Sequence, residues 1–264
     1  MDINMCVRKI KESKKYGCVC DETIMRILLN EIDKHKSEKA IIKAAKTKLH
    51  QITGAFIDKV SLQAVDNLIS EIQKNGETNE IITRILMFHA SSAERINFVN
   101  EMYEDILNIT GDKKAILDIA CGLNPFYIPL IRSKITGYFA VDINSKVIEL
   151  VNKYFAAINV DYHAVANDVL YKTLTCKVDN VFLFKILPLF EQQNKGFSRL
   201  LVKQLDSEFY TITFPTRSLS GKNKGMRKFY DDFMLNNFIH DEFEHCFEKE
   251  YFNEMLYIIR KRKN

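Results

Sequence analysis

Two periodicities divide the chain. Through the first hundred residues apolar positions recur every three or four, as in Ile41, Ile42, Ala45, Leu49 and Ile52, the spacing of one buried face on a helix. No proline interrupts this stretch and its glycines stand only at 17, 54 and 76, so it predicts several short helices divided near those glycines. We therefore expect an all-helical N-terminal domain over residues 1–100. From residue 115 the pattern changes to short apolar runs, at 115–120, 137–143, 160–166, 178–186 and 209–214, alternating with helical stretches at about 145–158 and 189–205. That alternation predicts a mainly parallel sheet. The last two runs, 244–251 and 254–260, are separated only by Phe252-Asn253, which predicts an antiparallel hairpin closing the sheet. Residues 101–264 are then an α/β domain.

Polar residues end the first two runs in a telling way. The run Ala115-Ile-Leu-Asp-Ile-Ala-Cys-Gly-Leu-Asn-Pro125 is apolar, Asp118 apart, until Cys121-Gly122, and Gly137-Tyr-Phe-Ala-Val-Asp-Ile143 reaches Asp142 twenty residues after Gly122. A missing side chain lets backbone approach a ligand, and a carboxylate at the next strand end can accept both hydroxyls of a ribose. A dinucleotide fold needs three glycines so that pyrophosphate can rest on a helix N-terminus, and only Gly122 is present. S-adenosylmethionine, with a ribose and no phosphate, suits this pattern; a tight turn with no ligand is the competing reading.

Composition narrows the setting. Six scattered cysteines without a C-x-x-C pair indicate neither a zinc site nor a disulfide framework, so no metal is expected and a reducing interior is. No window approaches the roughly 18 apolar residues of a membrane span, and the start lacks a signal-type apolar core, so a cytoplasmic protein is expected. The net charge of +4 is unevenly spread: residues 1–50 hold twelve Lys or Arg against seven Asp or Glu, leaving −1 for the rest. Lys36, Lys39, Lys43, Lys46 and His50 fall on one helical stripe, either a solvated face or one that meets phosphate.

Four further elements carry candidate chemistry. In His89-Ala-Ser-Ser-Ala-Glu-Arg95, Ser91 and Glu94 have capping-box spacing, which places Arg95 in a first helical turn where it calls for a carboxylate partner. Lys185 interrupts an apolar run at a strand end and must reach solvent, a ligand or an anion. The loop Phe214-Pro-Thr-Arg-Ser-Leu-Ser-Gly-Lys-Asn-Lys-Gly-Met226 carries Arg217, Lys222 and Lys224 with hydroxyls, a content that suits a phosphodiester backbone. Asp168, after the third strand, either caps its own turn or accepts the exocyclic amine of an adenine.

Together with Lys48-Leu-His-Gln51 and Lys185-x-Leu-Pro188, these motifs closely resemble those of the aminoglycoside-resistance 16S ribosomal RNA guanine-N7 methyltransferases, in order and over nearly the whole chain. The resemblance implies an α/β fold, a Rossmann-like class I SAM-dependent methyltransferase sheet with an all-helical N-terminal domain. It also implies S-adenosyl-L-methionine as cofactor, and as substrate a decoding-site guanine, conventionally 1405, of 16S rRNA in the 30S subunit. On matching positions, Arg95, Gly122, Asp142, Asp168 and Gln193 would hold the cofactor, and Lys185 and Lys222 would lie at the target nucleotide. The helical domain would dock on RNA through Lys39, Lys43, Lys46 and His50, with Arg217 and Lys224 assisting, and the enzyme would act as a monomer. A small-molecule methyltransferase and a non-catalytic RNA-binding factor are the competing classes.

Overall fold

The structure is a computed structural model, described here for residues 2–53, 59–216, 226–239 and 242–262. Seven strands form one sheet in the order β3-β2-β1-β4-β5-β7-β6: β1 (Lys114–Ile119), β2 (Ile135–Asp142), β3 (His163–Ala166), β4 (Asn180–Phe184), β5 (Phe209–Pro215), β6 (Phe243–Tyr251) and β7 (Glu254–Lys261). The first five are parallel; β7 runs antiparallel to both β5 and β6. Because β7 is reversed, its first residue, Glu254, pairs with Pro215 at the carboxyl end of β5, so the hairpin turn arrives at the edge where the parallel strands finish.

Strand periodicity sorts the core into two layers. Ile116, Tyr138, Phe182 and Leu256 face one side and pack under α4 (Lys59–Asn75), α5 (Asn79–Leu86), α7 (Val99–Thr110) and α8 (Ser145–Ala157). Leu117, Val181, Leu183 and Ile212 face the other, under α9 (Leu187–Gln193), α10 (Phe197–Gln204) and α11 (Met226–Asn237). The helical stretch expected at 189–205 is thus two helices, parted at Gly196, whose φ of 83° is left-handed. The strand expected from residue 160 pairs only over His163–Ala166, as the edge strand of the sheet.

The N-terminal helices α1 (Ile3–Lys11), α2 (Asp21–Ile32) and α3 (Glu38–Thr53) own a separate apolar cluster, in which Ile10, Ile24, Leu28, Ala45 and Leu49 are fully enclosed. Ile143, which follows β2, and Leu189, on α9, pack against it. A backbone seam fastens the two parts: Cys20 N–H donates to Ile143 O at 2.8 Å and Ser145 N–H to Cys18 O at 2.7 Å. α3 presents its lysine stripe as its periodicity requires, although Lys36 precedes the helix. Lys39 and Lys43 are exposed and form no ion pair with any described residue, Lys46 is half-buried, and His50 Nδ1 lies 2.7 Å from Lys15 Nζ. Among the described residues, no helix is long and apolar enough to cross a membrane.

Candidate active site

A cavity of about 700 Å³ opens at the carboxyl edge of the sheet, where residues following β1 to β5 meet the turn before β7. Open α/β sheets bind ligands at this edge, because the strand ends leave backbone groups and short loops there. The backbone is strained around it: Ala120 after β1 and Lys185 after β4 both hold φ of 57°, a region that costs a residue with a Cβ of order 1 kcal/mol or more. Lys185 is kept there by its N–H, which meets Thr213 O at 3.0 Å and Thr213 Oγ1 at 3.1 Å.

Gly122 and Asp142 define one end. Asp142 Oδ2 accepts the Gly122 N–H at 3.1 Å and Oδ1 accepts that of Asn144 at 2.8 Å, so the carboxylate ties the glycine loop to its own turn. Burial raises its carboxyl above the usual value, and these N–H groups pull it part of the way back. Gly122 has φ of 50°, and a Cβ there would stand 2.8 Å from His89 Cε1. The glycine is therefore needed where His89 packs against the loop. Below the loop, Asp118 accepts from Tyr138 Oη at 2.5 Å and from Asn124 Nδ2 at 2.8 Å; burial moves its carboxyl up to about 6.

Asp168 and Gln193 define the neighbouring wall, and a residue the sequence reading did not single out joins them. Arg26 of α2 donates from Nε to Asp168 Oδ2 at 2.8 Å and from Nη2 to Gln193 Oε1 at 2.9 Å. Asp168 also accepts the Leu170 N–H at 2.9 Å, the turn-capping role the sequence allowed. Nothing local in α2 signals this link, since the partners of Arg26 lie 142 and 167 positions away.

A further part of the wall holds four charges. Arg95 donates from Nε to both oxygens of Glu254 at 2.9 Å, and Lys185 Nζ lies 2.6 Å from Glu94 and 3.0 Å from Glu254. Glu254 is fully buried; burial would raise its carboxyl, but Arg95 and Lys185 outweigh that and hold it below its ordinary value. The Arg95 guanidinium also covers the Phe184 ring at 4.8 Å. Two expectations are corrected here. The helix that contains Ser91, α6 (Ala90–Arg95), starts earlier than expected, with His89 as its N-cap and no side chain bonding a first-turn N–H, so Ser91 lies inside the helix; Glu94 meets Lys185 instead, and the capping box does not form. Arg95 accordingly stands in the last turn of α6, where a cation suits the dipole, and the carboxylate it needs comes from the chain's own Glu254. Glu254 was legible only as a lone carboxylate opening an apolar strand.

Two buried polar atoms on this wall make no hydrogen bond with the described residues: Arg95 Nη2, which is ion-paired with Glu254 Oε1 at 2.8 Å but not aligned for a hydrogen bond, and Asn253 Oδ1. Both residues line the cavity. His89, between this wall and Gly122, is held neutral, its pKa lowered to about 4 by burial and then by Arg95 and Lys185. Arg217, Lys222 and Lys224 lie outside the described residues.

The parallel sheet with its reversed seventh strand, and a carboxyl-edge cavity carrying one acid at the end of β2 and another after β3, define a class I methyltransferase fold. More particularly, the family model described as "Ribosomal RNA methyltransferase (FmrO)" matches residues 12–242, and the chain belongs to that family. It is 33% identical to a 16S rRNA (guanine(1405)-N(7))-methyltransferase of Serratia marcescens over 99% of both chains, and 28% identical to one of Frankia casuarinae over 96% of this chain and 91% of that one. Among solved structures, the 16S rRNA methyltransferase RmtF in complex with S-adenosyl-L-homocysteine superposes with a TM-score of 0.89 at 28% identity, covering 99% of this chain and all of that one. The 16S rRNA methylase RmtB superposes with 0.86 at 29% identity, covering 99% of each.

Proposed function

We propose that the chain transfers the methyl group of S-adenosylmethionine to N7 of guanine 1405 of 16S rRNA, acting as a cytoplasmic monomer on the assembled 30S subunit. The observation that carries this reading is the end-to-end match to relatives named for that reaction, combined with a carboxyl-edge cavity whose polar lining suits the cofactor. Arg95 and Asn253 line the cavity on one wall, offering a guanidinium and an amide to a ligand that carries a carboxylate and an ammonium on one carbon. Asp142 beside the Gly122 backbone suits a ribose, and Asp168 with Gln193 an adenine.

Bound there, the cofactor supplies an electrophilic methyl on a sulfonium. Guanine N7 has a free lone pair, so no residue has to remove a proton, and the chain's work is orientation and electrostatics. Lys185 and Lys222 are assigned to hold the target nucleotide, extruded from its stack. As the base gains positive charge, Glu94 and Glu254 provide negative charge beside it, while Arg95 and Lys185 keep those carboxylates in place. Residues 1–100 dock the subunit through Lys39, Lys43, Lys46 and His50, assisted by Arg217 and Lys224, and residues 101–264 carry the transfer. The product has a blocked N7 acceptor and a fixed positive charge, both of which oppose binding of a polycationic aminoglycoside.

The test is to incubate the protein with labelled S-adenosylmethionine and either 30S subunits or naked 16S RNA, and to map the modified base. Label at N7 of guanine 1405 on 30S only is the expected result; label on another base, or transfer to naked RNA alone, overturns the target or the docking. Asp142→Ala is expected to weaken S-adenosylhomocysteine binding by about 1–3 kcal/mol, the cost of a lost charged partner, and unchanged affinity by calorimetry removes Asp142 from the cofactor site.

A further inference from the structure

The cavity wall formed by Asp168 and Gln193 is completed from a distant part of the chain. Arg26 sits on α2, in the N-terminal helical lobe, and its side chain is only 13% exposed. Its Nε holds Asp168 Oδ2 and its Nη2 holds Gln193 Oε1. The remaining tethers are local: Leu170 N–H on Asp168 Oδ1, and Gln193 Nε2 donating to Leu189 O at 3.2 Å. Each of the two side chains is therefore fixed at two points, one of them Arg26. The same lobe also bonds the main chain just beyond Asp142, at Ile143 and Ser145, and Leu189 packs into its apolar cluster.

A guanidinium is a rigid plane whose donors diverge at fixed angles, so one side chain that bonds two acceptors sets the distance and orientation between them. We infer that Arg26 is a positioning residue for cofactor recognition: it holds the Asp168 and Gln193 acceptors where they read the 6-amino group of adenine. The N-terminal lobe is on this view part of the cofactor site as well as a docking surface. The inference rests on the cofactor reading above.

The test compares two ligands by calorimetry on the full chain: S-adenosylhomocysteine, and S-inosylhomocysteine, in which a 6-oxo acceptor replaces the 6-amino donor. Wild-type protein, Arg26→Ala and Arg26→Lys are measured, with thermal unfolding of each. The wild type should prefer the adenosine compound. Arg26→Ala should bind that compound roughly tenfold more weakly, with the preference over the inosine compound shrinking by a similar factor. Arg26→Lys, which keeps charge but not the planar fork, should unfold near the wild-type temperature and recover only part of the preference. If Arg26→Ala binds both ligands like the wild type, or loses affinity for both equally, Arg26 is only a structural tie and the inference fails. A wild type that binds neither ligand instead removes the cofactor reading, and the inference with it.

Discussion

The lysine stripe of α3 and the four-charge wall of the cavity are built from similar side chains placed in opposite surroundings. Lys39 and Lys43 stand in water without ion-pair partners among the described residues, whereas Glu254 is fully enclosed between Arg95 and Lys185. Exposed charges cost the fold almost nothing and act outward, on a partner, through a field that salt screens. Buried charges act inward, and each exists only because its counter-ion does. The molecule thus keeps the outward-acting lysine charges of α3 apart, energetically, from those that hold the carboxyl edge of the sheet together.

That contrast can be broken most forcefully at Glu254. Glu254→Ala leaves the Arg95 guanidinium buried without its anion, and a loss of about 3–5 kcal/mol in urea unfolding is expected. Replacing both partners, as Arg95→Met with Glu254→Leu, should recover much of that loss while still abolishing cofactor binding.

A second test uses pH. Asp118 has a folded pKa of about 6, above the ordinary 3.8, so its contribution to stability is complete below about pH 4 and is lost as pH rises through 6. His89 has a folded pKa of about 4, below the ordinary 6.5, so its contribution is complete above 6.5 and is lost as pH falls through 4. Between pH 4 and 6 the two slopes oppose. Asp118→Asn should make the chain lose stability on acidification across this window, and His89→Gln should make it gain, each by at most about 3 kcal/mol in denaturation series. Parallel profiles in the two variants would exclude these titrations.

The smallest expected effect on stability, and the sharpest test of the outward-facing role, is charge reversal of Lys39 and Lys43 to Glu. Unfolding free energy should stay within about 0.5 kcal/mol of the wild type. Subunit binding should weaken, with the log–log salt slope falling by about 0.9 for each phosphate that is no longer neutralised. An unaltered slope would make the stripe a merely solvated face.

The same contrast explains what could be read beforehand. Helix faces, strand runs and strand-end residues such as Gly122 and Asp142 are local patterns, and the closing hairpin at Phe252-Asn253 was visible as two runs with a two-residue gap. Partnerships across the sheet were not. Arg95 announced a need for a carboxylate but not that Glu254, 159 residues on, would meet it. Ser91 and Glu94 had the spacing of a cap, and a tertiary ion pair with Lys185 took Glu94 away from it. Arg26 lies between Ile24, Ile27 and Leu28, residues that reveal a helix and say nothing of a cation turned toward Asp168. α7 runs on to Thr110 because Met102, Ile106 and Leu107 continue the helical period until Gly111, whose φ of 81° ends it.

The seam between Cys18-Val19-Cys20 and Ile143-Asn144-Ser145 carries a consequence for how the chain is made. Its hydrogen bonds join residues more than 120 positions apart. Synthesis proceeds from the N-terminus, so α1 to α3 emerge well before the turn that receives them, and must wait with Ile143's docking face uncovered until β2 is out and seated. Closure of this seam cannot begin before the first half of the chain has been made.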